Sequence, residues 1–405
     1  MKPDHARNVT YVATCDQGEH GGGLQVMVNK GFAYVGRDVR NGTTVIDVRD
    51  AAKPRMVNFL PAAPGTAATH IQAHGDLLLA LNRAISGTSP QITEPYAMFK
   101  YPMIDYAAPR DPAVPSGLQI FDTSKPGEPR QIGFLPVEGF GFHRLWYVGG
   151  RYAYGSVHWD GFTDTIFAVI DLSDPTRPEF GGRWWIPGMH RAAGEAPTWK
   201  SGRVSLHHAL IAGDLAYGAW RDGGLVVLDV SDKSMPKLIC HRNWAPPFPG
   251  GTHSPLPLPD RNLLVVGDET TMEDCLQGIQ RCWIFDVREP ANPVSIATMP
   301  VPAEQDYCAK GGKFGMHNFH ENRPGSLQSS TLVFCAYLNA GLRVWDISDA
   351  FQPREAGYFV PPPPDRLVDP RQKRIINTND VYVMPDGLMY VTDANHGLMI
   401  LQYNG

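Results

Sequence analysis

The sequence predicts an all-β protein, a seven-bladed β-propeller whose ring is closed by pairing of the N-terminal strand with the C-terminal blade. Three observations carry this expectation. Forty-one glycines and 36 prolines are spread along 405 residues, which disfavours long helices and demands many tight turns. One phrase recurs six times: an apolar strand ending in Asp, a short polar turn, and Pro seven residues after the Asp. A further pair of apolar strands precedes most copies of the phrase, so each unit holds four antiparallel strands.

The six copies are Asp47 with Pro54, Asp122 with Pro129, Asp171 with Pro178, Asp229 with Pro236, Asp286 with Pro293 and Asp346 with Pro353. An Asp at the end of a strand can accept backbone N–H bonds in the turn. A Pro beyond the turn can open an outer strand, where a missing donor is tolerated. The preceding strand pairs read as His208–Trp220 around Gly213-Asp214 and Arg144–Tyr154 around Gly149-Gly150. Successive aspartates lie 49 to 75 residues apart, near the period of propeller blades once loop insertions are allowed. The blades are expected near 20–61, 69–136, 142–186, 205–243, 252–299 and 316–360. A seventh unit at the C-terminus, from Asn379 to Leu401, lacks an outer strand, and the segment Asn8–Thr14 can supply it. Such closure removes exposed sheet edges and makes residues 1–405 one domain.

Phrases such as Val169-Ile170-Asp171-Leu172-Ser173-Asp174-Pro175 resemble the LVIVD-repeat family, and the resemblance runs along nearly the whole chain. The stretches 314–325, which contains His317 and His320-Glu321, and Thr378-Asn379-Asp380-Val381 look like a bacterial subgroup of that family. The resemblance implies a β-propeller and no particular reaction, because the repeat is defined by strand packing.

A net charge of -5 with no basic block gives no phosphate-binding footprint, so neither nucleic acid nor an anionic membrane is expected as a partner. No apolar run approaches the length of a membrane span. The segment Met1–Arg7 leads into polar sequence without the apolar core of a secretory signal, which points to the cytoplasm. The six cysteines, Cys15, Cys240, Cys275, Cys282, Cys308 and Cys335, form no CxxC pair and are expected as reduced, mostly buried thiols.

The chemistry is expected from histidine. His70, His143, His207 with His208, His253, and His317 with His320 stand at the start of the first strand of blades two to six. In a propeller that strand lines the central channel, so imidazoles from five blades can converge on one axis. Neutral imidazoles on rigid strands suit a divalent ion such as Zn²⁺, Mn²⁺ or Fe²⁺ with positions left open for water or substrate. The expected metal ligands are His208, His253, His317, His143 and His70. Because a strand alternates its faces, only one of His207 and His208 is expected to reach the channel; His70 and His74, and His317 and His320, pose the same choice. His5, His20, His158, His190, His241 and His396 share no position and are read as surface or structural.

Glu269, Asp380 and Glu321 are candidate proton acceptors or ligand-orienting groups, with turn-capping or solvated carboxylates as the alternative. Arg221 could clamp an anionic substrate or sit in a surface salt bridge. Insertions at 84–116 (Tyr96, Phe99, Tyr101, Tyr106), 187–203 (His190, Trp199) and 303–315 (Tyr307, Phe314) read either as covers over a substrate or as homo-oligomer contacts. No GxSxG, HExxH, Walker or GxGxxG motif is present, which argues against those engines. The leading expectation is a metal-dependent hydrolase or lyase acting on a small organic molecule in the channel. An iron- or copper-dependent oxidase or dioxygenase, and a non-enzymatic scaffold for a protein partner, are the alternatives.

Overall fold

The computed structural model describes residues 1–18, 22–37, 42–85, 87–200 and 202–405, so His20 lies outside the described residues. The chain is all-β: nearly every element is an antiparallel strand paired with its sequence neighbour, and the described helices are single turns. Each of the six repeated aspartates accepts a bond from the backbone N–H two residues on. These are Asp47 from Arg49 (3.2 Å), Asp122 from Ser124, Asp171 from Ser173, Asp229 from Ser231 and Asp346 from Ser348 (2.8 Å each), and Asp286 from Arg288 (3.0 Å). In every copy the next strand begins directly after the Pro, at Arg55, Arg130, Glu179, Lys237, Val294 and Arg354.

Among the described residues the strands fall into six hydrogen-bonded sheets. The segments 25–61, 141–184 and 378–403 each supply consecutive neighbours of one sheet. Segments 204–242 and 252–298 belong to a single eight-stranded sheet, joined through the pair Arg221 and Thr252. The sheet of 332–360 lacks a full inner strand. Where one was expected, residues 316–320 contribute a single bridge between Phe319 and Cys335. Separate closure into seven sheets is therefore not what the hydrogen bonds display.

Val9–Cys15 pairs antiparallel with Gly397–Tyr403, with Val9 opposite Tyr403 and Cys15 opposite Leu398. This is the join expected between the two ends of the chain. A second join was not foreseen: His5–Arg7 adds to the outer edge of Arg354–Val360. The N-terminus thus covers two sheet edges that would otherwise carry unpaired backbone groups. Apolar side chains fill the space between neighbouring sheets, and the largest among them, Trp220 and Trp345, are fully buried.

The cysteine expectation is corrected. Cys275 and Cys308 form a disulfide, whereas Cys15, Cys240, Cys282 and Cys335 are free and buried. The two bonded residues lie 33 positions apart on separate loops, a pairing that spacing alone does not reveal. Cysteine usage consequently gives no support to a cytoplasmic location. Among the described residues no helix is long and apolar enough to cross a membrane.

Candidate metal and substrate site

The first strands of the units carry a local irregularity where the histidines stand. Register shifts fall between Phe142 and Arg144, between Val204 and His208, between Thr252 and Ser254, and between Thr378 and Asp380. An extra residue on one strand of an antiparallel pair is released from the ladder and re-aims its side chain. His143, His253 and Asn379 occupy such positions, and His207 lies in the longest of the four shifts.

Five imidazoles form an arc. Ring centroids are 5.4 Å apart for His70 and His143, 4.6 Å for His143 and His207, 3.5 Å for His207 and His253, and 4.9 Å for His253 and His317. All five line a cavity of about 540 Å³, with Arg221 and Glu269 beside them. Burial pushes His70, His143, His207 and His253 well below the ordinary imidazole pKa, and holds His317 at about 4 despite the opposing charge of Glu269. The imidazoles are thus neutral near pH 7, the form that can donate a lone pair.

His253, Glu269 and His317 come together. Their ligand atoms all lie within 4.8 Å of one another; His253 and Glu269 are buried and the His317 side chain is 12% exposed. His253 Nε2 is 3.4 Å from Glu269 Oε2, and His317 Nε2 is 3.9 Å from Glu269 Oε1. The outer nitrogens are occupied: His317 Nδ1 donates to Asn379 O (2.7 Å), and His253 Nδ1 meets Ser254 Oγ (2.8 Å), which in turn donates to His317 O (3.3 Å). The Asn379 carbonyl places the proton of His317 on Nδ1 and leaves its Nε2 lone pair facing the carboxylate, whereas the Ser254 hydroxyl can accept from or donate to His253 Nδ1 and so allows either tautomer of His253. Arg221 Nη1 donates to Glu269 Oε2. Burial alone raises the Glu269 carboxyl, but Arg221, His317 and Lys313 outweigh it, and the net shift is downward, so Glu269 is anionic. Two imidazole Nε2 atoms beside one carboxylate make a donor set that fits a divalent cation.

The other expected residues stand elsewhere. His207 Nδ1 donates to His253 O (2.8 Å), so its Nε2 carries the lone pair. His143 Nδ1 accepts from Arg83 (2.7 Å), because a guanidinium only donates, which puts the proton of His143 on Nε2. His70 Nδ1 meets Thr69 Oγ1 (3.1 Å). His70, His143 and His207 line the cavity without joining the His253–Glu269–His317 group. His208 has both nitrogens engaged, Nδ1 by Arg144 (3.3 Å) and Nε2 by Leu145 O (3.1 Å). His207 and His208 are both buried, yet of the two only His207 lines the cavity, as alternation required; the expected ligand His208 is the member outside it. His74 packs edge-on against Tyr147, and His320 Nε2 donates to Leu327 O (2.8 Å), so His70 and His317 are the cavity members of their pairs.

Glu321 and Asp380 belong to a separate buried cluster. Glu321 lies 3.5 Å from Arg144, 3.6 Å from His208 and 3.6 Å from Arg323. Asp380 Oδ2 accepts from Val26 N (3.0 Å), and burial raises its carboxyl to about 8 against the pull of Arg144. Neither residue lines the histidine cavity. Sequence reasoning missed Arg144 and Arg323, both buried at 2% exposure, since a lone Arg in a strand carries no pattern of its own. It also missed Asp164, which is fully buried against Arg203 (2.8 Å) and accepts from Met103 N (2.9 Å), pinning the 84–116 insertion. That insertion brings Phe99 to the cavity. His158, His190, His241 and His396 are bound to backbone or stacked on neighbouring rings, outside the cavity.

The family described as LVIVD repeat matches residues 21–59, 147–184 and 209–242. No curated protein matches the sequence. Among solved structures, the β-propeller domain of Cps50 (Swd1) from Myceliophteria thermophila is similar at TM-score 0.58 and 10% identity, over 94% of this chain and 97% of that one. A chain of the mitotic checkpoint complex is similar at TM-score 0.57 and 10% identity, over 100% and 96%. A candidate 6-phosphogluconolactonase from Bacteroides uniformis is similar at TM-score 0.57 and 11% identity, over 87% and 96%. At such identity these likenesses speak for the fold alone. The chain is an all-β protein with propeller neighbours that carries LVIVD repeats over the three matched stretches.

Proposed function

We propose that this protein is a metal-dependent enzyme, built as a seven-bladed propeller, that acts on a small organic molecule in the histidine-lined cavity. The observation that carries the reading is the convergence of His253 Nε2, Glu269 and His317 Nε2 within 4.8 Å, from two different units, with their outer nitrogens already bound. His253, Glu269 and His317 would hold a divalent ion, which would supply Lewis-acid activation of a carbonyl or of water and so favour hydrolase or lyase chemistry with Zn²⁺ or Mn²⁺. His207, neutral and with its Nε2 lone pair free, stacks on His253 at 3.5 Å and is placed to accept a proton near that ion. Arg221 holds the Glu269 carboxylate in position. The seven-blade reading is supported by seven groups of antiparallel strands when the single Arg221–Thr252 link is counted as a contact between units, the group of 332–360 having three sequential strands completed by His5–Arg7.

A second reading has its own support. Two histidines and one carboxylate are also the ligand set of non-haem Fe(II) oxygenases. Elemental analysis of tag-free protein purified without chelators separates the two. Stoichiometric zinc or manganese supports hydrolase or lyase chemistry, and iron supports the oxygenase. Fully folded protein that binds no metal after exposure to each ion overturns both and leaves the scaffold.

A further inference from the structure

We infer that the cavity takes a small monocarboxylic acid with an apolar body, its carboxylate bound by Lys313 and its body held against Phe99 and Ile375. The inference rests on reading this cavity as a substrate site. Four cationic side chains line it, and three have carboxylate partners: Arg221 with Glu269, Arg371 with Asp369 (2.7 Å), and Lys373 with Glu273 (2.8 Å). Among the described residues, Lys313 is the lining cation that no carboxylate pairs. Its ammonium instead rests over the Phe99 ring, 4.7 Å from the centroid. A half-buried ammonium on an aromatic face, with open cavity beside it, is a ready partner for an anion.

The loop that presents Lys313 is fixed. Gly311 and Gly312 adopt φ of +87° and +75°, which favours glycine. A Cβ on Gly312 would lie 3.3 Å from Ile375 Cγ2, so the loop rests directly on that side chain. Gly312 N donates to Asp274 Oδ1 (3.0 Å), Asp274 N donates to Gly312 O (2.8 Å), and Asn339 N donates to Lys313 O (3.1 Å). The Cys275–Cys308 disulfide ties the same two loops together. Lys313 is therefore a cation on a rigid mount, which lowers the ordering cost of binding.

The chemical class follows from charge and surface. One ammonium without a salt-bridge partner, already acting on Glu269, matches a monoanion; Glu269 and Glu273 repel any anion there, and a phosphate dianion more strongly than a carboxylate. Phe99, Leu338, Ile375 and Ile376 give the same cavity an apolar lining, and burying a hydrocarbon or aromatic body against such side chains is favourable. Such a molecule would span from Lys313 toward His253 and His317.

The test uses benzoate as probe, with benzyl alcohol as the uncharged counterpart, acetate as the carboxylate without a body, and inorganic phosphate as the dianion. Binding to the full-length protein is measured by titration calorimetry and ligand-observed NMR, with and without added Mn²⁺. Benzoate should bind more tightly than the other three. Lys313→Gln should weaken benzoate by roughly 10–100-fold, the worth of one charged hydrogen bond, with unchanged thermal unfolding. Lys313→Arg should keep most of the affinity, and Phe99→Ala should weaken benzoate more than acetate. Equal benzoate affinity in wild type and Lys313→Gln, or phosphate binding tighter than benzoate, overturns the inference. Mn²⁺ titration in the absence of benzoate tests the metal separately: benzoate binding that depends on Lys313 in protein that takes no metal retains the acid site and removes only the metal.

Discussion

His253 Nε2 faces Glu269 Oε2 across 3.4 Å and has no hydrogen-bond partner of its own. In one tautomer of His253 the Nε2–H points at this carboxylate while the Ser254 hydroxyl donates to Nδ1; in the other the Nε2 lone pair faces it, and two acceptors in contact repel unless a cation lies between them. His317 is fixed in the second form, since Asn379 O accepts from its Nδ1. The divalent ion proposed for this group would take the lone-pair form of both imidazoles together with the Glu269 carboxylate.

Loss of a ligand should therefore be visible as loss of metal. His253→Ala and His317→Ala are expected to bind metal less than one-hundredth as tightly as wild type, measured by competition with a chromophoric chelator. Ser254→Ala, which removes the outer partner of His253 Nδ1 together with the bond to His317 O, should cost about 10–100-fold. Wild-type metal affinity in His253→Ala would sink the assignment.

Arg221 and Glu269 form a buried pair in which each is under one-tenth exposed. Removing one partner strands the other charge, at a cost of about 3–5 kcal/mol. Arg221→Met should lower the stability of metal-free protein by that order in urea unfolding, and the double variant Arg221→Met with Glu269→Gln should recover part of the loss. Equal stability of the single and double variants would mean that the carboxylate is not left charged and alone.

Asp380 gives the sign of a pH effect. Its folded pKa is raised to about 8 by burial, against about 3.9 for an unfolded aspartate. Between these values the folded protein holds a proton that the unfolded chain has released, so this contribution is full below about pH 4 and is lost as pH rises through about 8. Asp380→Asn cannot release that proton. Its unfolding free energy should fall less than that of wild type from pH 5 to pH 9, as read from denaturant melts at several pH values. Parallel profiles would show that Asp380 is not the titrating group.

What the sequence disclosed was local, and what it withheld depended on the neighbouring strand or loop. The Asp–Pro phrase could be read because Asp171 and Ser173, or Asp346 and Ser348, bond within two residues of each other. The shared placement of His70, His143, His207, His253 and His317 was legible for the same reason. Alternation admitted one of His207 and His208 to the cavity, but which one it is depends on the register shift between Val204 and His208, a relation between two strands that leaves no mark in one of them. The displacement of Glu321 and Asp380 from the cavity followed from partners far along the chain, such as Asp380 with Val26. Lys313 matters only through Phe99, more than two hundred residues away, and a glycine pair before a lysine announces nothing by itself.

The disulfide completes the set of expectations. Cys275 and Cys308 close a loop of 33 residues in sequence separation, and the chain-entropy account assigns such a cross-link about 3–4 kcal/mol. The linked loops also carry Asp274 and Gly312, whose reciprocal backbone and carboxylate bonds set the place of Lys313. Cys275→Ser with Cys308→Ser should lower the unfolding midpoint and loosen the 303–315 segment, seen as faster amide hydrogen exchange there and not in the distant strand Ile166–Asp171. The effect should match that of reducing the wild-type protein. Unchanged exchange at 303–315 in the double variant would show that Asp274, Asn339 and the packing on Ile375 hold the loop without the covalent link.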